Sequence, residues 1–265
     1  MKIIYLTLSL LVGIYFLIVI SIYLFQRNLL YHPAENNYLE EKLLEHNIQK
    51  IVIPSEHELT GWYYKKNSKF KTLLFFHGNA GKLENRIYKL NDLSKLNINY
   101  LIIAYRGFSG NEGSPSEDGL YLDARAAKKW LNSNDIDDSN IILYGESLGT
   151  AISIDLAQDF NFAGIILESP FTSMVDLAKI YYPYLPVSIL LKDRYNSLDK
   201  MKDINSPILI MHGKKDKIVP YNMGVKIFET AKEPKYKYFN DYDDHMMEFN
   251  DNLINSIDNF IKRIN

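Results

Sequence analysis

The chain has 265 residues, 47% of them hydrophobic and 23% charged, with a formal net charge of −2. That balance suits one large globular domain with room for an added segment; it shows neither the basic excess of a nucleic-acid binder nor the acidic excess of a disordered chain. The absence of cysteine excludes disulfides, thiolate chemistry, cysteine-ligated metals and palmitoylation of the chain itself.

The first segment departs from the average. Ile3 to Gln26 carries no charge, and Lys2 and Arg27 bracket it. Such a run covers about 30 Å of hydrocarbon at ~1.5 Å per helical residue. Tyr5 and Tyr23 fall where interfacial aromatics belong. A cleaved signal peptide would have a shorter apolar core and a small-residue cleavage site, whereas this run ends Ser21-Ile22-Tyr23-Leu24-Phe25-Gln26. Residues 1–27 therefore read as a retained single-pass membrane anchor, 28–47 as a connector and 48–265 as the main domain. Lys2 and the amino terminus oppose Arg27 and Lys42, so the side of the membrane stays open.

Past the connector, strands and helices alternate. Ile48 to Pro54 and Leu59 to Tyr64 read as two strands joined by a turn at Ser55 to Glu58. Thr72–Phe76, Tyr100–Ala104, Ile141–Tyr144, Gly164–Leu167 and Pro207–Met211 are short apolar runs of the kind buried on both faces of a parallel sheet, and Lys235–Phe239 supplies a last strand. Leu83–Leu96, Leu148–Gln158 and a terminal stretch from about Met247 to Ile261 have helical patterning. Ser114-Pro115-Ser116-Glu117 offers a cap, a proline at the first helical position and a capping-box glutamate, after which Leu120, Ala124, Ala127 and Leu131 share one face. The alternation predicts a mostly parallel sheet with right-handed crossovers. Residues 168–206 exceed what one crossover needs and carry Pro170, Pro183 and Pro186, the makings of a small cap.

Chemistry concentrates at Gly145-Glu146-Ser147-Leu148-Gly149. A strand before it and a helix after it make a sharp turn that holds a serine in a strained conformation, with small residues demanded two positions to either side. A serine hydroxyl needs a base, and the base an orienting carboxylate, in the chain order serine, acid, histidine. Only His212 and His245 follow Ser147. His245 lies between the last strand and the terminal helix, where a base can reach the serine; His212, at a strand end, reads as structural. Asp216 follows a strand and is the preferred acid, with Glu168 as rival; Asp243 and Asp244 lie too close to His245 in the chain. An oxyanion hole needs two N–H donors, each contributing roughly 3 kcal/mol to the transition state. Leu148 N–H, at a helix start, and Asn79 N–H, in the loop Phe76-His77-Gly78-Asn79-Ala80-Gly81, are the candidates. His77 reads as structural.

These pieces resemble a known group: the membrane-anchored α/β-hydrolase-domain serine hydrolases, akin to the prolyl oligopeptidase and dienelactone hydrolase branches. The resemblance lies in FFHGNAG (75–81), AYRGFSGNEGSPSEDGL (104–120), YGESLGT (144–150), LESPFTSM (167–174), HGKKDKIVP (212–220) and the late His245, in order over about two hundred residues, with QRNLLYHP (26–33) after the anchor. It implies an α/β-hydrolase fold with a mostly parallel sheet of about eight strands, a Ser147–Asp216–His245 triad, Asn79 and Leu148 as oxyanion donors, and no metal or cofactor. Relatives often place glycine shortly before the late histidine, where this chain has Tyr242-Asp243-Asp244. The substrate expected is a small or lipid-like acyl ester or thioester, with a serine peptidase or amidase as the alternative and a membrane-tethered binding scaffold as a third. The intact set of serine, acid and histidine argues against the scaffold, which has no physical need for all three.

Overall fold

The computed structural model describes residues 1–35 and 41–264. Of the expected connector, residues 36–40 lie outside them. The first helix, α1, spans Lys2–Leu30. It is about 43 Å long at ~1.5 Å per residue, long and apolar enough to cross a membrane, and none of its most apolar window is buried by the rest of the protein.

Eight strands form one sheet: β1 Gln49–Ile53, β2 Leu59–Tyr64, β3 Thr72–Phe76, β4 Asn99–Ile103, β5 Ile141–Glu146, β6 Gly164–Glu168, β7 Ile208–Gly213 and β8 Lys235–Asn240. Their spatial order is β8-β7-β6-β5-β3-β4-β2-β1. The β1–β2 and β2–β4 pairs are antiparallel and the rest parallel. Strands β3 to β7 are buried at every position, which is why they read as continuous apolar runs without alternation. The crossovers are α2 (Ile87–Lys95), α3 (Glu117–Asn132), α4 (Leu148–Asp159) and α8 (Tyr221–Thr230), and α9 (Asp251–Arg263) closes the chain. Between β6 and β7 run α5 (Met174–Tyr181), α6 (Val187–Leu190) and α7 (Ser197–Met201), within the stretch expected to form a cap.

Three helix starts differ from expectation. Ser116, not Ser114, caps α3: its Oγ accepts from Gly119 N at 3.2 Å, and Pro115 stands before the cap. Glu117 then turns its carboxylate away from the cap and accepts from Tyr121 Oη and from the backbone N–H groups of Arg194 and Tyr195. Leu83–Arg86 is a turn of 3₁₀ helix that precedes α2. The last helix begins at Asp251 because Met247 has a φ of 43°, which breaks helical geometry, and Asn250 caps it through Oδ1.

The end of α1 is fastened to the domain. Arg27 grips the buried Asp193 with two hydrogen bonds, of 2.9 and 3.0 Å, and Tyr31 Oη donates to the same carboxylate at 3.2 Å. Residues His32–Pro33 then pair in parallel with Ala80–Gly81, beside the loop that carries Asn79.

Candidate active site

Strand β5 ends at Glu146 and α4 starts at Leu148, leaving Ser147 alone in the turn. Its φ of 51° lies in the left-handed region, a conformation that costs a non-glycine residue about 1–3 kcal/mol. The turn is tight enough that a Cβ at Gly145 would strike the Gly149 carbonyl and one at Gly149 would strike that of Phe76. Both glycines are there for close approach.

Ser147 Oγ lies 3.0 Å from His245 Nε2, and His245 Nδ1 lies 2.7 Å from Asp216 Oδ2. The three residues expected from chain order meet at the carboxyl edge of the sheet, from the ends of β5 and β7 and the loop after β8. The His245 loop is held from two sides: Ser169 Oγ donates to the His245 carbonyl at 3.1 Å, and Lys215 N donates to the Asp243 carbonyl at 3.0 Å. A Cβ at Gly213 would collide with the carbonyls of Asp243 and Asp244. The close approach of this loop to β7 is what requires glycine at position 213.

Asp216 is buried and well supplied with donors. Its Oδ1 accepts from Ile218 N and Val219 N, both at 2.8 Å. Burial alone would raise its pKa, yet hydrogen bonds from His212 and His245 and the Val219 amide hold it well below the usual carboxylate range. His212 is fully buried, with Nε2 donating to the Val219 carbonyl at 3.0 Å and lying 3.2 Å from Asp216 Oδ2. It faces the acid and has no contact with Ser147, so it supports Asp216 rather than replacing His245.

The chain matches relatives over most of its length. It is 35% identical to an uncharacterized Mycobacterium tuberculosis protein over 215 residues, 79% of this chain and 76% of that one. The prolyl oligopeptidase family profile matches residues 121–252. The crystal structure of an alpha-beta hydrolase from Vibrio vulnificus superposes with a TM-score of 0.74 at 25% identity, covering 91% of this chain and 92% of that one. The chain belongs to the α/β-hydrolase family. This hydrolase is also 36% identical to human alpha/beta hydrolase domain-containing protein 17B over 172 residues, 63% of this chain and 57% of the human protein.

Glu168, the rival acid of this α/β hydrolase, is engaged elsewhere. Lys89 Nζ donates to both of its oxygens, at 2.7 and 2.9 Å, and Tyr144 Oη donates at 2.6 Å. The same Lys89 reaches Glu146 Oε2 at 2.8 Å, while Arg86 holds Glu146 Oε1 at 2.6 Å. All four charges are buried. Burial disfavours the Lys89 ammonium, but the two carboxylates outweigh it and keep Lys89 charged. Glu168 is pushed upward by burial, opposed by Lys89. The position of Glu146, second in the serine pentapeptide and at the end of an apolar strand, was the sequence signal for a buried cation. Replacing Lys89 by methionine leaves the buried Glu168 without its cation, while Arg86 still holds Glu146, and should cost about 3–5 kcal/mol, read as a lower denaturant midpoint.

The loop expected to supply an oxyanion donor rests on this network. Gly78 N donates to Glu146 Oε1 at 3.3 Å, and a Cβ at Gly78 would sit 3.6 Å from Ser147 Cβ, so the loop lies directly against the serine turn. Tyr105 Oη donates to the His77 carbonyl at 2.9 Å. Asn79 is bracketed by the end of α1: its Nδ2 donates to the Leu30 carbonyl at 2.7 Å, and its carbonyl accepts from His32 N at 2.9 Å. Among the described residues, neither the Asn79 nor the Leu148 backbone N–H donates to a protein acceptor, which leaves both available to a ligand.

His77 is fully buried, with Nδ1 donating to the Gly78 carbonyl at 2.7 Å. Burial, with the Arg86 charge adding to it, pushes it down to about 3 from an ordinary value of 6.5. A depressed folded-state pKa means that its contribution to stability is complete above the ordinary value and is lost as pH falls through the interval below. Between those two values the unfolded chain binds one more proton, a slope of roughly 1.4 kcal/mol per pH unit. His77→Asn should therefore flatten the acid limb of a urea-midpoint series run from about pH 7 to about pH 4, by up to that slope.

Among the described residues no cluster of three or more His, Asp or Glu side chains could hold a metal ion.

Proposed function

We propose that this α/β hydrolase is a membrane-anchored serine hydrolase that cleaves an ester or thioester through a Ser147–His245–Asp216 triad and an acyl-enzyme. The observation that carries the reading is the unbroken hydrogen-bonded row from Ser147 Oγ through both nitrogens of His245 to Asp216. In this reading Ser147 Oγ attacks the carbonyl carbon while His245 Nε2 takes its proton. Asp216, kept anionic, fixes Nδ1–H and stabilises the imidazolium. The oxyanion accepts from Leu148 N–H, at the positive end of α4, and from Asn79 N–H. His245 returns the proton to the leaving alcohol or thiol as the tetrahedral intermediate collapses. Water, activated by the same imidazole, then clears the acyl-enzyme. Helix α1, free of charge from Ile3 to Gln26 and exposed over its first two thirds, serves as a single-pass anchor that keeps the site beside lipid.

The prolyl oligopeptidase match over residues 121–252 favours amide cleavage as the second reading. Full-length protein assayed against ester, thioester and aminoacyl-amide series decides between them. Ester or thioester turnover should dominate; amides turned over faster would reverse the assignment.

A further inference from the structure

Between the last third of α1 and the cap lies a cavity of about 180 Å³. Ile22, Leu29 and Leu30 line it from the anchor, and Leu177, Ala178 and Leu190 from the cap side. Gln26 also borders it, but its polar atoms are spent: Nε2 donates to the Tyr23 and Leu190 carbonyls and Oε1 accepts from Lys192 N. The remaining lining is overwhelmingly apolar, so water gains little there and hydrocarbon gains much.

Two walls of the cavity touch the loops of the reacting groups. Leu30 accepts from Asn79 Nδ2 at 2.7 Å. Tyr181 Oη donates to the Ile218 carbonyl at 2.9 Å, and Ile218 N in turn donates to Asp216 Oδ1 at 2.8 Å. The cavity therefore lies beside both the oxyanion loop and the acid loop. Outside it, the cap exposes Ile180, Tyr184 and Ile189, the last 84% exposed, on the side where Tyr15 Oη of α1 donates to the Tyr184 carbonyl at 2.9 Å. A soluble surface would rarely carry such a patch next to an exposed apolar helix. Continuity with the end of α1, residues 22–30, sets the cavity at the level of the bilayer surface, while the bond to Tyr15, midway along the span, draws Tyr184 toward the bilayer interior.

We propose that this cavity takes the acyl chain of an ester lipid drawn from the same bilayer, and that the anchor helix forms one wall of the acyl site. The proposal rests on the ester-hydrolase reading above and names its substrate. A chain entering between α1 and α5 keeps its methylenes out of water while its carbonyl lies toward Ser147. Each methylene buried in this way should strengthen binding about fourfold.

The test uses full-length protein in nanodiscs with Ala178→Trp and Ile22→Trp, two fillings from opposite walls that guard against either one failing to fold. The myristate-to-butyrate ratio of kcat/KM for p-nitrophenyl esters should fall at least tenfold in both. Ser147→Ala should bind the fluorescent fatty acid cis-parinaric acid, and adding Ala178→Trp should remove that binding. An unchanged ratio in both variants, or parinaric binding that survives the filling, overturns the cavity assignment. Turnover of an S-myristoylated peptide without turnover of monomyristoylglycerol overturns the lipid source. Parinaric binding does not depend on catalysis. An unmodified protein that binds it, yet takes no fluorophosphonate at Ser147, would instead defeat the hydrolase reading and leave the cavity assignment standing.

Discussion

Ser147→Ala is expected to lower ester turnover by about 10⁶-fold and to abolish labelling by a fluorophosphonate probe. The magnitude follows from how the parts depend on one another. With the hydroxyl gone, His245 has no proton to take and Asp216 nothing to orient, so one substitution forfeits the work of all three. What survives is the residual rate that binding and the oxyanion donors supply to an attacking water. The fold should survive as well, because the Ser147 side chain contributes only the 3.0 Å contact to His245. Its strained φ of 51° is borne by the neighbouring backbone and not by the hydroxyl. A denaturation midpoint within about 1 kcal/mol of the parent, with labelling lost, is the expected pair of results. Labelling that persists would place the nucleophile elsewhere.

Asp216→Asn is expected to reduce kcat by about 10⁴-fold with the fold intact. The amide must choose which end faces His245. Its oxygen is claimed by the Ile218 and Val219 N–H groups, each at 2.8 Å, so the NH₂ is left toward the imidazole. An NH₂ donates where the carboxylate accepted, which forces Nδ1 to be the bare nitrogen and puts the proton on Nε2, facing Ser147. The base is then blocked by its own proton. The same NH₂ also faces His212 Nε2, 3.2 Å from the original oxygen, where two donors now oppose. Saturation kinetics on an ester, with circular dichroism to verify folding, measure this directly. A loss below tenfold would return the role of acid to another carboxylate. Glu168 is a poor heir, since its oxygens are taken by Lys89 and Tyr144.

The residues that meet at Ser147 were legible because each rests on a local rule or on chain order. The serine turn announces itself by two glycines between a strand and a helix, and the late histidine is one of only two that follow it. Strands β3 to β7 were legible because burial on both faces writes an unbroken apolar run. The start of α3 was not, because Ser114 carries the proline and the capping-box glutamate of the local pattern, while Ser116, the residue that caps, has neither. What separates them is Glu117, drawn into long-range bonds with Arg194 and Tyr195. The buried charge network was harder still. Lys89 sits in a helix whose pattern allows it to be solvated, and its partners lie 57 and 79 residues away in the chain. Gly213, too, owes its need for smallness to the backbone of Asp243 and Asp244, far along the chain. Side chains whose function depends on a distant partner leave no periodic trace.

The bonds from Leu30 and His32 to Asn79 bear on how this hydrolase is to be handled at the bench. The usual route to a soluble preparation is to delete the hydrophobic leader and begin just beyond it. Here the cut would fall on the two residues that flank the Asn79 side chain and carbonyl, so the fragment would retain its row of serine, histidine and aspartate while the loop proposed to supply an oxyanion donor lost two of its bonds. A weak rate from such a fragment would say little about substrate choice. On the proposed reading the end of α1 is part of the catalytic body, and detergent or nanodisc is part of the assay.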